Sequence, residues 1–320
     1  MPHKPAWFRN GSVFVSFAPT VGINKDGEDL FVIDTETGSR TDEIDNLVRR
    51  DVDALLDHGS VTPTSAWVDG ADLADQFLGV PVYFDERPLE ELEKLLDEPD
   101  FAGYSTKTIG ELIEDGWVSY RAGHGSPSAD LRAGTVPYIK VSDLRAGQVN
   151  INPTNRVSEV TAQRFWRGKE SGLVEYDLLT PIRTSKNIGD FAVLMPGQED
   201  VVLTKEILVL RATPEAPFDT FYLLWAMSLR AVRRQWDRIV FMQTNREDVG
   251  TRYKEIRVPI APSESVAETV SKPMRDYYTG MSRLREQYLE YLQRDDRHHI
   301  FMSTSNDAST SLEDEMASEE

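Results

Sequence analysis

The side chains with most chemistry to offer are hydrogen-bond donors gathered in three places. Arg183-Thr184-Ser185-Lys186-Asn187 forms a polar loop between apolar runs and ends in Ile188-Gly189. Arg230, Arg233, Arg234 and Arg238 recur at helical spacing, and Gln243, Thr244, Asn245 and Arg246 follow closely. Guanidinium forks suit phosphate oxygens and guanine edges, and Gln or Asn carboxamides can pair bidentately with adenine. The chemistry this combination offers is recognition: cations to fix a register on phosphates, amides to read bases.

Bond-making chemistry finds less support. The chain contains no cysteine, which excludes a disulfide framework, Cys-ligated zinc, an iron–sulfur cluster and a thiol nucleophile. His298 and His299 are adjacent and point apart on a helix, so they do not make a metal pair. Gly123-His124-Gly125-Ser126 runs into Pro127 and lacks the strand–turn–helix setting of a nucleophile loop. Asn152-Pro153-Thr154-Asn155 lacks both the second proline and the aromatic of the loop with which amino-methylating DNA methyltransferases hold a flipped base. Carboxylates are plentiful, yet no pair is singled out for acid–base work.

The 320 residues carry 35 Lys+Arg against 54 Asp+Glu, a net charge of −19. Taken alone, that total opposes a phosphate-backbone partner. The charge is uneven, however: residues 1–103 are net −14, residues 104–262 net +2 and residues 263–320 net −7. The donor clusters all lie in the slightly positive middle. No apolar run approaches bilayer length, and no signal peptide pattern opens the chain, so the expectation is a cytoplasmic protein with no membrane partner.

The elements that position these donors define an α+β chain in four parts: an acidic α+β unit (1–103), a mixed α/β domain (104–262), a long coiled-coil-type helix (263–300) and an acidic tail (301–320) expected to be disordered. In the first unit, Ser12–Phe17 alternates as a half-buried strand. Asp26-Gly27 then suggests a hairpin into Leu30–Ile33. Thr41–Leu56 reads as an amphipathic helix with Ile44, Leu47, Val48 and Leu55 inward, and Leu89–Leu96 as a second helix after Pro88. In the middle part, Ile109–Ile113 is a short helix, and strands are expected at Val136–Val141, Leu178–Thr180, Val201–Leu203 and Ile207–Leu210. Asp219 is a suitable N-cap for one helix from Thr220 to Arg238. On that helix the four arginines fall within an arc of roughly 140°, opposite Phe221, Leu224, Trp225, Leu229, Val232 and Trp236. In the long helix Val270, Met274, Tyr277, Met281, Leu284, Tyr288 and Tyr291 keep heptad spacing, a narrow seam that asks for a partner helix. Pro273 would require a kink or a restart there.

Residues 104–300 resemble one target-recognition half of a type I restriction–modification DNA specificity subunit. Thr106–Leu112 is similar to that family's opening segment. Gly134-Thr135-Val136-Pro137-Tyr138-Ile139-Lys140-Val141-Ser142-Asp143-Leu144, with Gly147 after it, is similar to its hallmark. Asp177-Leu178-Leu179 with Arg183–Gly189, then Tyr222-Leu223-Leu224, and Ile256-Arg257-Val258-Pro259-Ile260-Ala261-Pro262 follow in the family's order. The long helix stands where the family places a spacer. Ser185 and Lys186 replace a more glycine-rich loop, Ser263-Glu264-Ser265 replaces an expected glutamine segment, and one recognition unit stands where two are usual. The resemblance adds Tyr138, Lys140 and Arg145 to the DNA-contact set and implies a mixed α/β recognition domain.

Val13-Phe14-Val15, Val21–Gly27 and Asp42-Glu43-Ile44 resemble the region that follows the catalytic domain in N6-adenine DNA methyltransferases, whose catalytic motifs are absent here. Together the two resemblances imply a non-catalytic specificity subunit of a restriction–modification or related phage-defence system. Double-stranded DNA and a methyltransferase catalytic subunit would be its partners, with a second copy of the chain and a restriction subunit as further ones. S-adenosylmethionine would belong to the methyltransferase, and this chain would need no cofactor or metal. The competing reading is a protein-interaction adaptor or regulatory subunit without DNA contact, favoured by the acidic first unit and tail.

Overall fold

The computed structural model describes residues 10–57, 59–76, 80–128, 131–166, 172–183, 185–243 and 246–293. The expected tail and the end of the long helix, with His298 and His299, lie outside them. The described residues divide into two compact units, one of residues up to 90 with 237–239, the other of residues 91–236 with those from 240 onward. Both mix helices and sheets. Residues 91–103 group with the second unit, where Phe101 stacks on Trp225 with ring centroids 6.2 Å apart.

In the first unit β1 (Ser12–Ser16) pairs antiparallel with β4 (Ser65–Asp69), while β2 (Phe31–Ile33) pairs with β3 (Arg40–Ile44). The expected hairpin between the first two strands is therefore corrected. Asp26-Gly27 does form a tight turn, with Gly27 at φ +85, but it closes only a short loop at the Ile23–Asp29 bridge. The helix expected from Thr41 is corrected too. Helix α1 (Leu47–Leu56) starts after Asn46, whose side chain accepts from the Arg49 amide. The preceding residues are drawn into the ladder with β2, where Arg40 stacks 3.6 Å from the Phe31 ring centroid and Ile44 is exposed. Asp51, fully buried on α1, accepts hydrogen bonds from Ser16, Thr62 and Thr64, so hydroxyls satisfy a carboxylate that would otherwise be costly to bury. Helix α2 (Gly70–Gln76) follows β4, and α3 (Arg87–Leu96) begins with Pro88 in its first turn.

The second unit opens with β5 (Ser105–Thr108) and α4 (Ile109–Glu114), joined by a capping box between Thr108 and Glu111. There follow β6 (Val118–Ala122), β7 (Val136–Ile139), β8 (Leu144–Arg145), β9 (Gln148–Val149), β10 (Arg156–Val157) and α5 (Glu159–Trp166). Next come β11 (Leu178–Pro181), β12 (Ala192–Val193), β13 (Val202–Leu203) and β14 (Ile207–Ala212). One sheet has the order β6-β14-β11-β12-β9-β8 and a second the order β10-β7-β13. Strand β7 serves two cores by its two-residue alternation. Ile139 packs with Leu179, Leu194, Leu203 and Ile207, whereas Tyr138 packs with Val157, Ala162 and Val202.

The helix expected from Thr220 to Arg238 is two helices, α6 (Thr220–Ser228) and α7 (Arg230–Ile239), broken at Leu229, whose ψ is 133. The break fits the two compositions. Helix α6 is buried nearly all round, through Phe221, Tyr222, Leu223, Leu224, Ala226 and Met227, while α7 buries only one side, through Ala231, Val232, Gln235 and Trp236. Strands β15 (Phe241–Gln243) and β16 (Arg246–Asp248) form a small ribbon, and β17 (Arg257–Ile260) closes back on β5. Helix α8 (Glu264–Gln293) continues through Pro273. Ala267, Ser271, Tyr278 and Ser282 bury one of its faces in the second unit.

Candidate nucleic-acid interface

The site begins with a turn. Strands β8 and β9 are joined by Ala146 and Gly147, both at positive φ (51 and 75), with Arg145 opposite Gln148. Two left-handed residues match the right-handed strand twist and give the tightest hairpin connection. A non-glycine residue in that region costs roughly 1–2 kcal/mol, so the surroundings must hold Ala146 there. The Gly147 carbonyl accepts from the Val193 amide at 3.0 Å and from the Tyr278 hydroxyl at 2.9 Å. Tyr278 is buried on α8, its ring stacked with Phe221, and burial pushes its hydroxyl pKa up. A β-carbon on Gly147 would lie 2.5 Å from that hydroxyl. Arg145 is thereby held at the hairpin, its Nε donating to the Ser142 carbonyl at 2.8 Å.

The polar loop after β11 faces it. Arg183 pairs with the buried Asp248 of β16. At the other end the Gly189 amide donates to Thr180 Oγ1 at 3.2 Å, and Gly189, at φ +85, sits so close to Trp236 that a β-carbon would be 2.5 Å from the ring. Between these anchors Ser185, Lys186 and Asn187 join Val141, Ser142, Arg145, Ala146 and Asp190 around an open cleft of about 690 Å³. Asp190 in turn pairs with Arg233 at 2.7 Å. Residues some forty positions apart thus share one concave surface, with Lys186 and Arg145 exposed upon it. A second cleft of about 620 Å³ shares Ser142, Arg145 and Ala146 and is lined further by Asp143, Gln148, Asn150, Ile151 and Asn152. What this arrangement can do is bind an anion through the cations and exchange hydrogen bonds with flat polar edges through the amides.

The other expected contact residues stand elsewhere. Tyr138 is corrected from a surface contact to a core residue, 3% exposed. Lys140 is half-buried and donates to Asn155 Oδ1 at 2.6 Å. The arginine face of α7 is largely engaged by the protein itself: Arg234 pairs with Glu91, and Arg238, grouped with the first unit, donates to the Tyr83 carbonyl at 2.7 Å, while Arg230 is exposed. Phe221 and Leu224 do not back that face, because they belong to the separate helix α6. Gln243 and Arg246 are opposite each other in the β15–β16 ribbon. Thr184 and Asn245, with the side chains of Gln243 and Arg246, lie outside the described residues. Along α8, Tyr277, Leu284, Tyr288 and Tyr291 are exposed, and Val270, Met274 and Met281 are half-buried. Sequence reasoning passed over Gln148, Asn150 and Tyr278, and weighed Asn152 only as part of a methyltransferase-like loop. The two-residue spacing of the amides was a visible signal, whereas nothing local connects Tyr278 with a glycine 131 positions away.

No family model matches the chain, and no curated protein matches it significantly. Among solved structures, the type I restriction–modification system S subunit from M. genitalium is similar at 12% identity and a TM-score of 0.38, over 61% of this chain and 42% of that one. A chain from a structure of complex assembly and conformational transition in the type I R-M system is similar at 13% identity and a TM-score of 0.37, over 66% and 48%. The HsdS subunit from Thermoanaerobacter tengcongensis is similar at 12% identity and a TM-score of 0.34, over 79% and 60%. The chain spans less than two thirds of the length of each. Among the described residues no helix is long and apolar enough to cross a membrane.

Proposed function

We propose that this chain is a non-catalytic DNA-specificity subunit that directs a partner N6-adenine DNA methyltransferase of a restriction–modification or related phage-defence complex to its target. The observation that carries the reading is the cleft that gathers Arg145, Ser185, Lys186 and Asn187 in the one part of the chain that is not acidic. Its cations would hold phosphates, and neighbouring amides would select the sequence. S-adenosylmethionine would be bound by the partner, and the exposed side chains of α8 would seat a partner helix or a second copy. The motif resemblance described for residues 104–300 supports the same assignment.

The test is DNA binding by the purified chain, alone and with its methyltransferase, at several salt concentrations. Log affinity should fall with log salt by about 0.9 for each phosphate neutralised. The chain alone should transfer no methyl group from S-adenosylmethionine, and turnover by it would overturn the assignment. A second reading, an adaptor without DNA contact, is favoured by one observation: Arg183, Arg233 and Arg234 all pair with the protein's own carboxylates. Binding that is flat with salt, with the partner present, would select it.

A further inference from the structure

The second cleft has a chemistry distinct from the first. Around the first cleft stand Lys186, Arg145, Asp190 and one carboxamide, Asn187, whereas the second sets three carboxamides, Gln148, Asn150 and Asn152, beside Arg145 and Asp143. Val149 is buried and Ile151 turned toward the core, so Gln148 and Asn150 lie on the opposite side of one extended segment, Asn150 exposed and Gln148 half-buried with its Nε2 donating to Met281 Sδ of α8 at 3.6 Å. The Asn150 amide donates to the Asp143 carbonyl at 2.8 Å, which prolongs the hairpin pairing past β9. The Asn152 Oδ1 atom is taken by Thr154, whose amide and hydroxyl donate at 3.0 and 2.8 Å, leaving its Nδ2 as the group able to donate outward. The Asn150 Nδ2 has only long contacts, 3.5 Å, to the carbonyls of Asp143 and Gln148.

Carboxamides carry donor and acceptor side by side, which phosphates do not require and base edges do. Alternate residues of an extended strand lie about 6.6 Å apart. That is close to two base steps of about 3.4 Å each. We infer that the edge from Arg145 to Asn152, held on α8 by the Tyr278–Gly147 hydrogen bond, reads base edges of double-stranded DNA, with Asn150 and Gln148 as specificity-determining residues and Tyr278 as their positioning residue. This rests on the DNA-contact reading above and adds which side chains discriminate. The long helix then has a second duty: the element whose outer face is exposed also fixes the hairpin that selects the sequence.

The experiment selects preferred duplexes from a randomised DNA library with the full chain and measures affinity for the preferred and for singly mismatched duplexes. Asn150→Ala, at an exposed position, should reduce discrimination at one position of the site by about 5- to 100-fold while leaving the salt slope unchanged. Gln148→Ala should act two base pairs away from the position that Asn150 reads. Tyr278→Phe keeps the ring and removes only the hydroxyl. It should accelerate amide hydrogen exchange at 145–149 and erode discrimination at the same positions. Unchanged discrimination in Asn150→Ala and Gln148→Ala, with salt-dependent binding intact, overturns this inference and spares the DNA-contact reading. Unchanged exchange in Tyr278→Phe overturns the positioning role. Absence of salt-dependent binding by the unaltered chain overturns both readings together.

Discussion

Lys186 and Asn187 reach the cleft because Gly189, two positions beyond Asn187, has no side chain. Gly189 holds φ +85 against the Trp236 indole, so Gly189→Ala meets both an unfavourable backbone and a filled space. Overpacking of this kind costs about 1–3 kcal/mol, and urea unfolding should show a loss of that size. Lys186→Ala disturbs no described contact. It should weaken DNA binding for all sequences and lower the salt slope by about 0.9 if one phosphate contact is lost, read by repeating the salt titration. At this scale the sequence was informative about chemistry and poor about accessibility. The donor types around Lys186 were recognisable, yet Tyr138 looked as available as Arg145. One faces a core and the other a hairpin rim because strand alternation and a tight turn intervene, and neither is encoded in residue type.

Caps show how far an element could be foreseen. Asp219 was identifiable as the start of α6, and its Oδ1 accepts from the Tyr222 amide at 2.9 Å. Its second oxygen accepts from Arg275 of α8 at 2.6 Å, a tie that only the fold reveals. Asp219→Ala should cost about 0.5–2 kcal/mol through the cap alone, measured by thermal unfolding. The Thr108–Glu111 capping box has a pH signature. Hydrogen bonds from the Thr108 amide and hydroxyl hold the Glu111 carboxyl below its ordinary 4.5. A depressed folded pKa gives stability that is present above the ordinary value and fades as pH falls through the folded one. The stability of the unaltered chain should therefore drop on acidification below about pH 4.5, and Glu111→Gln should show a smaller drop. What the sequence hid at this scale is non-local. The helical reading of Thr41–Leu56 failed because β2 recruits its first residues into a ladder, and the expected helix 220–238 breaks because its halves serve surroundings of different polarity.

For the molecule as a whole, the −19 net charge and the cationic cleft are compatible because acidic residues dominate outside the middle part. Along α8, Tyr277, Leu284, Tyr288 and Tyr291 are each at least 49% exposed. On the proposed function, Leu284→Glu should weaken assembly with a partner helix seated there, read by sedimentation with and without the proposed methyltransferase partner, while leaving the salt dependence of DNA binding by the chain alone unchanged. The two ends of the second unit's sheets have a different consequence. Ser105 lies opposite Ile260 where β5 meets β17, so the path leaves the second unit's sheets where it came in. Neighbouring backbones in such a pair are only about 5 Å apart, and a segment with adjacent ends can be lifted out without leaving a gap to bridge. The stretch between those strands is consequently closed at its base by the pairing of β5 with β17. Any sequence spliced between them must keep Asp219, Phe221 and the Gly147 carbonyl to receive Arg275 and Tyr278.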